Sequence, residues 1–140
     1  MTYLIQTISQ EEQRYATIGD WQFVKANGVY GKFVKANGDQ LNVKVSNLGN
    51  EDSEFLIAIH ELVEAYLCRK AGVTTEQVDE FDMHYDEKFG NSGIDEPGEN
   101  PNAPYFMQHF AADIIERTLA SFLGVNWLDH EKRCEEGGNS

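Results

Sequence analysis

Residues 57–67 read IAIHELVEAYL and carry His60, Glu61 and Glu64 in one run. On an α-helix, positions four apart lie one turn apart on the same face, so His60 and Glu64 can reach a single ion. Glu61 lies about 100° round the helix, beside them. An imidazole and a carboxylate at this spacing are two metal ligands. The carboxylate between them is placed to act as general base toward water acidified by the ion. The run is one residue short of the H-E-x-x-H spacing, with Glu64 standing where the second His would be.

A third ligand must come from elsewhere in the chain. The segment QHFAADIIERTLA, 108–120, offers His109, Asp113 and Glu116, which share one helix face, while Phe110, Ile114 and Phe122 lie on the opposite side. His60, Glu64 and His109 then make a two-His, one-Glu set, an arrangement known for catalytic zinc. The expected cofactor is Zn²⁺ or another divalent transition metal. Asp113 is expected to fix the tautomer of a ligand histidine, with Glu116 beside it in support. Tyr105 and Arg117 flank the ligands and are candidates to stabilise an oxyanion. His84 and His130 read as exposed and Trp21 and Trp127 as core. Arg14-Tyr15 and Gly19-Asp20 read as the rim of a cleft or as a turn.

The elements that position these residues fall into two halves. The first 50 residues read as strands: YLIQTI, WQFVKA, VYGKFVKA and LNVKVS, with Asn27-Gly28 and Asn37-Gly38 as tight-turn pairs between the last three. The spacing predicts an antiparallel meander with one face on helices, since Leu41, Val43 and Val45 alternate with polar residues. FVKANG occurs at 23–28 and again at 33–38, a local duplication that lengthens a hairpin. Three main helices are expected over 52–72, 74–89 and 104–123. Gly72 closes the first, a Thr74/Gln77 capping box opens the second and Pro104 lies in the first turn of the third. Asn126 caps a short helix to 135, ahead of a frayed tail over 136–140, and 90–103 is loop. The whole is a single α+β domain, a sheet packed against three helices.

Composition narrows the function classes. With 24 acidic against 11 basic residues the formal charge is −13, which repels a phosphate backbone, so nucleic acid is not an expected partner. No run approaches the roughly eighteen apolar residues of a membrane span, and the start lacks the features of a secretory signal. Cys68 and Cys134 form no C-x-x-C and read as free thiols of a cytoplasmic protein.

The second ligand helix invites comparison with the gluzincin metallopeptidases. There the first helix reads H-E-x-x-H and the second supplies a Glu ligand, followed four residues later by an acid. Here Glu64 and His109 have exchanged places and the ligand total is unchanged. The stretches RYATIGDW (14–21), FLIAIHELVEAYLC (55–68), VDEFD (78–82), EPGENPNAPY (96–105) and LGVNW (123–127) resemble a family of small phage-encoded and prophage proteins. That resemblance covers most of the chain except the duplicated hairpin. It implies a phage or prophage source, hence the cytoplasm of a bacterial host, and a zincin-like fold, without implying a reaction.

The leading expectation is a zinc-dependent, zincin-like hydrolase of a peptide or amide bond, its partner an unknown peptide or host protein. Two alternatives stand beside it. One is a non-catalytic phage interaction protein whose metal is structural or absent. The other is a Mg²⁺-dependent nucleotide pyrophosphatase, because Glu61-x-x-Glu64 matches the E-x-x-E of those enzymes. Against the second, Asp113-x-x-Glu116 reverses their partner E-x-x-D, and the strands have no place in an all-α fold. A di-iron bundle requires E-x-x-H pairs, which the chain lacks.

Overall fold

A computed structural model describes residues 1–25, 39–89 and 97–138 of the chain. Within them lie three strands, β1 (Thr2–Ile8), β2 (Gly19–Val24) and β3 (Gln40–Ser46). Four helices follow: α1 (Glu51–Ala71), α2 (Thr75–Phe89), α3 (Phe106–Leu123) and α4 (Trp127–Gly138). The class is α+β. Both Asn-Gly pairs, the expected VYGKFVKA strand, the whole second FVKANG copy and the last three residues of the first lie outside the described residues. Among the described residues no helix is long and apolar enough to cross a membrane.

The sheet corrects the expected meander. Its order is β1-β3-β2, with β3 antiparallel to β2 but parallel to β1. A period-two pattern fixes which residues share a face but gives no strand direction. The ten residues between β1 and β2 contain no tight-turn pair and include a short 3-10 turn at Gln10–Glu12. β1 is thereby free to lie on the far side of β3, in register Tyr3↔Leu41 and Ile5↔Val43. Opposite it, Trp21 faces Val43 and Phe23 faces Leu41, forming the buried side of the sheet.

α1 is the helix laid across that side. Its Ile57, Ala58, Ala65 and Cys68 join Trp21, Phe23, Leu41, Val43 and Val45 in one apolar core. The helix is well terminated. Asn50 Oδ1 accepts the Ser53 N–H at 2.9 Å, three acids occupy the first turn, and Gly72 at φ 77° closes the end. α3 packs chiefly along α1 and not on the sheet, so the expected layer of three helices over the strands is replaced by sheet, α1, then α3.

Other boundaries are sharper than the sequence implied. The Thr74/Gln77 capping box forms as expected, with bonds of 2.8 and 3.2 Å. α3 begins at Phe106 and leaves Pro104 before the helix, not within its first turn. α4 runs to Gly138, past the expected end at 135, opened by Asn126 Oδ1 accepting the Asp129 N–H at 3.0 Å.

Candidate metal centre

α3 is amphipathic in an inverted sense. Its buried residues are His109, Ala112, Glu116 and Ala120, while Met107, Phe110, Ile114 and Phe122 are exposed. The turn-by-turn spacing that collects His109 and Glu116 on one face therefore presses them against α1, where His60 and Glu64 are also buried.

Three donor atoms converge there. His60 Nε2 lies 3.2 Å from both Glu64 Oε2 and His109 Nδ1, and His109 Nδ1 lies 2.8 Å from Glu64 Oε2. Ligands about 2.0–2.1 Å from an ion at tetrahedral angles lie roughly 3.3 Å apart, so this triangle needs little adjustment to hold one. Two further groups of residues, His60 with Asp113 and Glu116 and Glu99 with His109 and Asp113, also bring ligand atoms within 4.8 Å of one another. The His60, Glu64 and His109 group is distinguished by having all three members buried.

Each member is held from outside the triangle. Glu64 Oε1 accepts the indole N–H of Trp21 at 3.0 Å, which leaves Oε2 for the histidines. Trp21 is in the core, as expected, and also sets the rotation of this carboxylate. The Nδ1 of His60 faces Glu116 Oε1 at 2.7 Å. Asp113 was the residue expected to fix a ligand tautomer, but its nearest oxygen is 3.8 Å from that nitrogen and its side chain is 39% exposed. At His60 the shorter bond is therefore that of buried Glu116, while Asp113 also stands with Glu99 beside His109, their ligand atoms within 4.8 Å of one another. Gly98, in the turn Pro97–Glu99, lies flat against His109, where an added Cβ would come within 2.5 Å of the ring.

The electrostatics follow from these bonds. Burial alone would raise the Glu64 pKa, but the hydrogen bonds to His109 and His60 outweigh it and bring the carboxyl down to about 2. Burial would lower His60, yet Glu116 and Glu64 hold it well above the usual imidazole range. An ion bound there would compete with a proton for the Nε2 lone pair of His60.

The triangle lines a cleft of about 80 Å³ whose wall includes Tyr15, Gly19, Asp79, Asp82, Gly98 and Tyr105. Glu61 lines it too, and Gly19 packs so closely that a Cβ there would stand 2.6 Å from Glu61 Oε1. Arg14 forks between Asp20, at 2.7 and 2.8 Å, and Asp79, at 3.0 and 3.2 Å, tying the start of β2 to α2. Tyr105 lines the cleft, with its hydroxyl donated to Asp82, to which Tyr15 also donates at 3.4 Å. Arg117 does not line it. Its guanidinium stacks 4.9 Å over the Trp127 ring on the exposed side of α3, because it follows Glu116 by one position and faces away.

His84 is exposed, as expected. His130, expected to be exposed, is 1% exposed and bonded to Glu116. A signal for it existed: behind the Asn126 cap, Trp127, His130 and Cys134 recur at helical spacing and mark an inward face. Gly98, Asp79 and Asp82 carried no metal or catalytic spacing and were missed. Compared with protein-family models, with curated proteins and with solved structures, the chain gives no match.

Proposed function

We propose that the chain is a zincin-like metal-dependent hydrolase of a peptide or amide bond, phage-derived and acting in the cytoplasm of a bacterial host. Its ion, zinc or a similar transition metal, would be held by His60, Glu64 and His109. The observation that carries this reading is the buried triangle of two imidazole nitrogens and one carboxylate oxygen with edges of 2.8 to 3.2 Å. Such a donor set suits zinc better than Mg²⁺, which prefers oxygen alone, and this weighs against the pyrophosphatase alternative. When bound, the ion would supply Lewis acidity and acidify water.

The remaining work falls to the chain. Glu61, in the cleft beside the ligand pair, would take the proton from water, and the backbone at Gly19 would hold its carboxylate in place. Tyr105, on the cleft wall, would serve a developing oxyanion only by turning its one hydroxyl proton away from Asp82. One observation favours the non-catalytic alternative, an interaction protein: Met107, Phe110, Ile114 and Phe122 expose an apolar face on α3.

Elemental analysis of protein purified without a metal-binding tag or chelator should give close to one zinc per chain. Glu61→Gln should keep that metal and lose hydrolysis of a peptide library, whereas Glu64→Ala should lose the metal. Protein that contains no transition metal and takes up no added zinc would sink the reading. Equal metal loss in the two variants would show that base and ligand are misassigned.

A further inference from the structure

Behind the proposed ligands runs a chain of buried polar groups that ends on α4. Glu116 uses both carboxylate oxygens: Oε1 faces His60 Nδ1 at 2.7 Å and Oε2 faces His130 Nε2 at 2.6 Å. The other nitrogen of His130, Nδ1, faces Ser53 Oγ at 2.9 Å, and Arg133 Nη1 donates to that same Oγ at 3.1 Å. Ser53, Glu116 and His130 are 0%, 5% and 1% exposed, so water does not offer alternative partners.

The donor inventory gives this chain a direction. A carboxylate only accepts, so the His130 proton lies on Nε2, donated to Glu116, and Nδ1 is left bare; Ser53 Oγ accepts from Arg133, which only donates, and gives its O–H to that bare nitrogen. Cys134 Sγ, 3.8 Å from the same Nε2, competes poorly with a carboxylate at 2.6 Å. Each Glu116 oxygen has a ring nitrogen within hydrogen-bond distance, at 2.7 and 2.6 Å, and a carboxylate offers them acceptors only. As an anion Glu116 accepts from both rings, which places the proton of His60 on Nδ1 and leaves Nε2 facing Glu64 and His109.

We infer that Arg133, Ser53 and His130 are positioning residues of the metal centre, a relay from α4 that orients Glu116 and so presents the Nε2 lone pair of His60 to the ion. The inference rests on the metal-centre reading for its purpose, but its geometry is separately testable. His130 is not a ligand, and its effect passes entirely through Glu116.

The test pairs zinc competition titration against a chromophoric chelator with nitrogen-15 NMR of the imidazole rings. His130→Asn should weaken zinc binding by up to ~10-fold, the lower end of the ~10–100-fold range for direct partners of metal-bound histidines, because it acts one bond further out through Glu116. Ser53→Ala keeps the backbone cap to Asn50 and should weaken binding by a smaller factor. Trp127→Leu removes the ring packed 5.2 Å from His130 and its indole bond to Glu131 but none of the relay's hydrogen bonds, so it should lower thermal stability and leave zinc affinity unchanged. In the parent, His130 should carry its proton on Nε2 with Nδ1 bare, whether or not zinc is present.

Parental affinity in both His130→Asn and Ser53→Ala would overturn the relay, as would a proton on His130 Nδ1. If His130→Asn does not fold, Ser53→Ala and the ring tautomer decide. A parent that binds no zinc but shows the Nε2–H tautomer would sink the metal reading and leave the hydrogen-bonded chain intact, so the two failures are distinguishable.

Discussion

At Asp82, burial pushes the carboxyl up to about 7, reinforced by the charges of Glu64 and Asp79 and opposed by the hydrogen bonds from Tyr105 and Tyr15. Its ordinary value is 3.8, so the folded state holds this proton more tightly than the unfolded chain does. The stability from that proton is complete below the unfolded pKa, declines as pH rises, and is gone above the folded value. Asp82→Asn keeps its carbonyl oxygen as acceptor for the Tyr105 hydroxyl, turns its NH2 toward the longer contact with Tyr15, and cannot ionise. The melting temperature of the variant, at one fixed zinc concentration, should therefore gain on the parent between roughly pH 4 and pH 7. A difference that stays flat across that range would mean that Asp82 ionises like an exposed carboxylate. At this scale the sequence revealed residues whose chemistry shows in their spacing, His60, Glu61, Glu64 and His109. It concealed Asp82, Trp21 and His130, whose roles depend on partners 14 to 77 positions away.

Between elements, the centre is an agreement between α1 and α3 about which side chains face each other. If the ligand set matters more than which helix carries each member, Glu64→Ala or His109→Ala alone should weaken zinc binding sharply. The double variant Glu64→His with His109→Glu keeps two His and one Glu and should retain much more zinc than either alanine variant. Some loss is expected, because Trp21 donates to a carboxylate at position 64 and Gly98 packs on an imidazole at position 109. Chelator competition on all four proteins would measure this, and a His109→Ala variant that binds like the parent would place the third ligand elsewhere. The helices were legible because Asn, Thr and Gly mark their ends chemically. Two features were not. Strand alternation carries no direction, so the parallel pairing of β1 could not be read. Helical periodicity grouped Phe110, Ile114 and Phe122 correctly but could not say that this apolar face of α3 would be left exposed.

Across the whole molecule, α1 divides two interiors of different kinds. Toward the sheet it buries Ile57, Ala58, Ala65 and Cys68 in an apolar core, and toward α3 and α4 it buries His60 and Glu64 among Glu116, His109 and His130. The first interior is stabilised by removal of apolar surface from water and does not depend on an ion. The second holds two carboxylates and three imidazoles away from solvent, and leaves hydrogen bonds and any bound cation to offset their desolvation. An ion bound only by the folded state adds about 2.7 kcal/mol at a hundredfold excess over Kd and about 4.1 kcal/mol at a thousandfold. For a chain near this size each kcal/mol raises Tm by roughly 2–4 °C, so zinc at a thousandfold excess should raise it by roughly 10 °C, and chelator should reverse the rise. His109→Ala should abolish most of the zinc-dependent part. Hydrogen exchange should locate the effect: amides of α3 and α4 should exchange faster in chelator, while those of β2 and β3, on the apolar side, should change little. Equal melting with zinc and with chelator would mean that the polar interior holds α3 by its own hydrogen bonds, and the triangle would then be a structural network and not a metal centre.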